Sequence, residues 1–147
     1  MAETLGSLCD KITIIKLKLW HCDNNEKEKS LNIQEKQLID EINEYILAAI
    51  SGEISFERLT FDSNKIYKKE GNFVNNVSGS IGKIFSDLAD VNCELWHEQE
   101  NVYDFENISV TKKDQVVKKL ALLNLKRNKC IDGINNVFKN YLENKNK

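Results

Sequence analysis

Apolar residues recur at intervals of three and four along most of this chain, a spacing that predicts long amphipathic helices. Leu5, Leu8, Ile12, Ile15, Leu19 and Cys22 form the first such seam, with Ser7 and Asp10 as a candidate capping pair. A polar turn over residues 22–29 leads to a second seam of Leu31, Leu38, Ile42, Tyr45 and Ala49, with Ile39, Ile46 and Ile50 alongside. Gly52 stands where a C-terminal cap belongs. Periodicity fails over residues 53–77: Ile54, Phe56, Leu59 and Phe61 fit a short helix or an extended segment, and Asp62-Ser63-Asn64, Gly71-Asn72 and Asn75-Asn76 read as turns. From Ser80 the period returns as Ile81, Phe85, Leu88, Asn92, Leu95, Gln99 and Val102. After a break over residues 105–111, where Thr111 and Asp114 offer a capping pair, the last seam runs Val116, Leu120, Leu123, Arg127, Cys130, Ile134, Val137 and Tyr141.

Four helices, two on each side of an irregular middle, bury their seams most simply as an antiparallel bundle. The expectation is therefore an all-α antiparallel helical bundle of about four long helices with an irregular middle segment, forming a single domain over residues 1–147. The length suits one domain with its own core. The absence of proline, with only six glycines, leaves long helices uninterrupted.

Charge narrows the possible partners. Lys and Arg number 21 against 23 Asp and Glu, so no basic stripe suggests a phosphate backbone and no nucleic-acid partner is expected. Cys9, Cys22, Cys93 and Cys130 show neither a C-x-x-C pair nor zinc-type spacing, which favours free thiols in a reducing cytosol. No apolar run approaches the roughly 20 residues that span a bilayer, and the N-terminus lacks signal-peptide order. The expected location is cytoplasmic, with no membrane span.

The only two tryptophans and two histidines share one tripeptide used twice, Leu19-Trp20-His21 and Leu95-Trp96-His97. Helical phase divides each copy: with leucine on the seam, tryptophan falls on the flank and histidine on the outer face. Coincidence of register accounts for the repeat more readily than duplication, because little else aligns. Around His97 the outward face carries Asp90, Glu94, Asn101 and Asp104, the composition of a solvated surface. Glu94-x-x-His97 has the i, i+3 spacing of di-iron bundles, but the second such pair is missing and His97 turns outward, so no metal and no cofactor are expected. Neither histidine stands beside a serine or cysteine nucleophile with an orienting group. Gly79-Ser80-Ile81-Gly82 at a helix start is a weak anion-binding signal.

Interior polar residues discriminate better. An unpaired arginine is costly to bury, so Arg127 in the last seam must be paired, reach solvent or hold a ligand. Asn92 and Gln99 are the candidates to face it, and Asn124 and Asn128 flank it on its own helix. Three readings stay open: a polar layer that fixes register, a cleft for an anionic or sugar-like ligand with Trp96 as stacking wall and Arg127 as fork, and an interface with another chain.

The run Asn92-Cys93-Glu94-Leu95-Trp96-His97-Glu98-Gln99-Glu100, with Leu123-Asn124-Leu125-Lys126-Arg127-Asn128 and Ile131-Asp132, resembles the pattern of a bacterial all-helical family of unknown function found near glycosyltransferase, lipopolysaccharide or capsule genes. Gln99 departs from it where an acidic residue is preferred. The opening Leu8-Cys9-Asp10-Lys11-Ile12-Thr13-Ile14-Ile15-Lys16-Leu17-Lys18 is similar to the start of a second such family with the same genomic company. The resemblance implies an all-helical fold, a bacterial origin and a link to surface glycan assembly, but no reaction. It draws Asn92, Trp96, His97, Glu100, Asn124, Arg127 and Asn128 into one candidate ligand-binding constellation. The expected function is a non-enzymatic helical accessory or interaction protein, its partner another protein or a second copy. The alternative is a small ligand-binding or catalytic bundle acting on a sugar or nucleotide-sugar.

Overall fold

A computed structural model describes residues 2–62 and 77–145. They form an all-helical bundle of α1 (Leu5–His21), α2 (Asn25–Ser51), α3 (Ile81–Tyr103) and α4 (Val110–Lys145), with single 3-10 turns at Phe56–Leu59 and Phe105–Asn107. The turns expected at Ser63-Asn64, Gly71-Asn72 and Asn75-Asn76 lie outside the described residues.

Each start is set by a side chain that satisfies free amides of the first turn. The Thr4 hydroxyl accepts from the Ser7 N–H at 3.2 Å while the Ser7 hydroxyl accepts from the Thr4 N–H at 2.8 Å, a reciprocal capping box. Ser7 is therefore the third residue of the first turn rather than the cap, and Asp10 lies inside the helix, free for another task. Asn24 caps α2 by accepting from the Glu26 and Lys27 N–H groups at 3.0 and 3.1 Å, which shortens the expected eight-position turn to residues 22–24. Ser80 caps α3 through the Lys83 N–H at 3.2 Å. The last helix opens at Ser109-Val110, before the Thr111–Asp114 pair that the sequence offered, with the Ser109 hydroxyl accepting from the Lys112 N–H at 3.4 Å. Gly52 ends α2 at a φ of +83°, where a side chain would be strained.

The hub of the bundle is α1. It runs antiparallel to α2 across the short turn and antiparallel to α4, with Gly6 beside Asn135 and Asp10 beside Arg127. It runs parallel to α3, whose Asn92 meets Asp10 and whose Trp96 meets His21. The main helix contacts join α3 to α4 and α1 to each of the other three. Three helices thus form the centre and α2 lies along α1, which is why α2 buries only Ala49 and leaves Ile33, Leu47 and Ile50 in solvent. One continuous core joins Leu5, Cys9, Ile84, Leu88, Cys130 and Ile134 to Phe138 and Leu142, and Leu59 of the 3-10 turn closes it near the end of α2.

The seam of α4 rotates relative to the four-three alternation. A strict alternation repeats every 3.5 residues whereas a straight helix repeats every 3.6, a drift of about 20° per heptad. In α4 the buried line continues from Ile134 to Phe138 and Leu142, and Tyr141 points to solvent. In α3 the buried side is turned to the flank one residue earlier, with Ile84, Val91 and Glu98 buried beside Leu88 and Asn92, so Gln99 is exposed and cannot face Arg127.

Candidate functional site

Arg127 is paired, and its partner is Asp10. Its Nε donates to Oδ1 at 2.8 Å and its Nη2 to Oδ2 at 2.5 Å, the two-pronged geometry in which guanidinium and carboxylate fit best. The Asn92 carboxamide donates to the same Asp10 Oδ1 at 3.0 Å and to the Thr13 hydroxyl at 2.6 Å, and that hydroxyl donates to the Asp10 carbonyl at 2.7 Å. The Asp10 hydrogen bond, set against partial burial, holds the Arg127 guanidinium firmly in its charged form. The Asp10 side chain is 7% exposed and that of Arg127 is 31%, so the carboxylate is enclosed and the guanidinium reaches the rim. Three helices meet at this cluster, and both carboxylate oxygens are occupied. The fork that a ligand would need is spent on the protein itself.

A second polar contact joins the same helices. The Asn135 carboxamide oxygen accepts from the Gly6 N–H at 2.7 Å, satisfying a free first-turn amide of α1 from across the interface. The helices approach so closely that a Cβ on Gly6 would run into the Ile131 carbonyl oxygen. The Asn135 amide nitrogen is buried without a partner among the described residues.

The repeated tripeptide divides as its phase requires for leucine and the outward histidines, yet the two copies touch. The His21 ring stacks on Trp96 at 4.7 Å between centroids and 10° between planes. Trp96 Nε1 donates to Glu100 Oε1 at 3.2 Å. Beside the stack a cleft of about 400 Å³ opens between the end of α1 and the start of α2, walled by Trp96, His21 and Leu31 and edged by Lys18 and Lys27. A different and almost wholly apolar groove of about 500 Å³ runs between the outer edges of α1 and α3, lined by Ile12, Leu17, Trp20, Phe85, Ala89 and Cys93. Trp20 is 85% exposed at its margin.

The buried thiols are held in their protonated form. Burial pushes the Cys9 thiol up to about 11, with the Asp10 charge adding to the effect, and burial likewise raises Cys130 to about 11. Among the described residues no group of three His, Cys, Asp or Glu is placed to hold a metal ion. Glu98 accepts from Lys119 Nζ at 2.9 Å and from Asn101 Nδ2 at 3.3 Å, and the Lys119 bond holds its carboxyl below the ordinary range. No described helix is long and apolar enough to cross a membrane.

The seven residues of the candidate constellation therefore separate. Asn92 and Arg127 join in the closed cluster, whereas Trp96 and Glu100 belong to the stack with His21. His97 is exposed, and among the described residues Asn124 and Asn128, both half-buried, make no hydrogen bond to the cluster. Asp10, Thr13, Gly6, Asn135 and His21 complete these contacts. Asp10 and Thr13 lie in the opening Asp10-Lys11-Ile12-Thr13 run that resembled a second family, so the two resemblances converge on one cluster. Nothing in the sequence singled out Gly6 or Asn135. No family model, no curated protein and no solved structure matches the chain, so both resemblances rest on the quoted residues.

Proposed function

We propose that this chain is a non-enzymatic helical interaction protein that presents the outer face of α1 and α3 to another polypeptide. Trp20 carries the reading: a tryptophan 85% exposed at the margin of an apolar groove keeps the largest apolar side chain in water, where only a partner can cover it. The closed Asp10–Arg127 pair supports the same reading, because the guanidinium best suited to an anionic ligand already holds a carboxylate. The resemblance of the Leu95-Trp96-His97 and Asp10-Lys11-Ile12-Thr13 segments to families encoded beside glycosyltransferases favours a bacterial accessory role near surface glycan assembly. Four free cysteines suit a reducing cytoplasm.

A second reading rests on the Trp96–His21 stack. An aromatic wall beside Lys18 and Lys27 suits a sugar or nucleotide-sugar, with the lysines in the role first assigned to Arg127. Two measurements separate the readings. An apolar fluorescent dye should bind the folded protein and be lost from Trp20→Ser and Ala89→Glu, while sugars, nucleotide-sugars and divalent metals leave the melting temperature unchanged. A nucleotide-sugar that raises it in the parent protein but not in Lys18→Ala or Lys27→Ala would replace the first reading with the second.

A further inference from the structure

Resting on the interaction reading, we propose that the partner on the α1/α3 groove is a second copy of this chain, related by a two-fold axis along the groove. The surface holds an apolar projection, Trp20, and an apolar hollow floored by Ala89 and Cys93, side by side. A two-fold interface applies one patch to itself, so a patch that carries both shapes is complementary to its own copy. The small side chain of Ala89 and the short Cys93 leave the room that an indole fills.

Charge selects the direction of the axis. Lys16 lines the α1 edge and stays 63% exposed although it meets Glu35 of α2 at 2.5 Å. Asp90 is exposed on α3, one position and about 100° beyond Ala89 toward solvent. An axis across the groove would bring α1 onto α1 and set Lys16 near its own copy, like charge on like. An axis along the groove lays α1 over α3 of the other copy, setting Lys16 opposite Asp90 twice and Trp20 against the Ala89–Cys93 hollow twice. Opposed charges at a rim steer and orient association more than they strengthen it.

Size argues for this occupant over a long partner helix. From Ile12 to Trp20 the groove extends eight residues, about 12 Å, or two helical turns. A partner helix would find only two turns of contact, whereas two reciprocal tryptophans with their hollows and charged rims cover on the order of 1,000 Å², the lower edge of specific interfaces. The expected dimer is accordingly weak and exchanging.

Sedimentation equilibrium of the full chain tests this across micromolar to millimolar concentrations. The expected result is a reversible monomer–dimer equilibrium that tightens at low salt and is weakened at least about tenfold by Trp20→Ser and by Ala89→Glu. Lys16→Glu and Asp90→Lys should each weaken it, and the two together should restore it. Circular dichroism should stay unchanged in all four variants, and the melting temperature unchanged in Trp20→Ser and Asp90→Lys, whose parent residues are exposed. A chain that stays monomeric throughout, or a dimer indifferent to Trp20 and Ala89, overturns the proposal. Dye binding separates the two levels: monomers that bind dye through Trp20 leave the interaction reading intact with a foreign partner, and loss of both ends it.

Discussion

The two sides of α1 follow opposite rules. Toward α4 it presents Gly6 and Asp10, and each finds one fitted partner, Asn135 and Arg127. Toward the outer edge of α3 it presents Ile12, Leu17 and Trp20, which border an open groove. On the closed side any change leaves a buried group without its partner, which costs far more than the contact itself was worth. On the open side a change removes surface that water already touches. The same 17-residue helix therefore carries stability on one face and leaves the other to association.

The contrast breaks first, and most, at Arg127. Arg127→Met leaves the enclosed Asp10 carboxylate unpaired and should cost about 3 kcal/mol or more in denaturant unfolding. Adding Asp10→Leu should recover much of that loss, because two apolar groups replace the pair together; a single variant within 1 kcal/mol of the parent, by roughly the usual surface tolerance, would show that the cluster is not the lock described. Gly6→Ala comes next, at about 2 kcal/mol, since its Cβ meets the backbone oxygen of Ile131. Gly82→Ala is the control with opposite sign. It lies in α3 with nothing within 4 Å of a new Cβ, and should gain up to about 1 kcal/mol from helix propensity.

His21→Ala should cost about 0.5–1 kcal/mol through loss of the aromatic stack and should red-shift Trp96 emission as its ring meets water. A further effect is one of pH. Because Lys119 holds the Glu98 carboxyl below its ordinary 4.5, that group contributes stability present above about 4.5 and lost as pH falls through the lower folded value. Glu98→Gln should remove that contribution at neutral pH and flatten the acid limb of the stability profile, so that parent and variant converge at low pH; an unchanged acid limb would assign the sensitivity elsewhere. Trp20→Ser on the open side should change the monomer's stability least, within about 0.5 kcal/mol. A large loss there would mean that the groove is not open.

Much of this architecture was legible because it follows from local rules. Helical spacing marked all four helices, Gly52 announced its own cap, and the phase of Leu95-Trp96-His97 placed leucine on the seam and histidine in solvent. The caps at Thr4 and Ser109 were displaced by several positions because neighbouring hydroxyl residues compete for the same role, and only tertiary packing decides which one begins the turn. Arg127 was recognisable as a buried cation in need of a partner. Asp10 also fits a first-turn cap, and nothing along one chain separates a cap from a cross-helix ligand 117 residues away.

By itself, then, the sequence determined the helices, their apolar faces and the presence of a charge that burial would not tolerate unpaired, all consequences of spacing and solvation. Tertiary structure alone decided that the two tryptophans of one repeated tripeptide differ. The chain beyond Trp96 runs along α4 after α1 has ended, so His21 at that end covers Trp96, and Trp20 one position earlier faces a groove that this chain leaves uncovered. Which neighbour a side chain meets depends on where other helices stop, and that is set by packing across the whole bundle rather than by any local pattern.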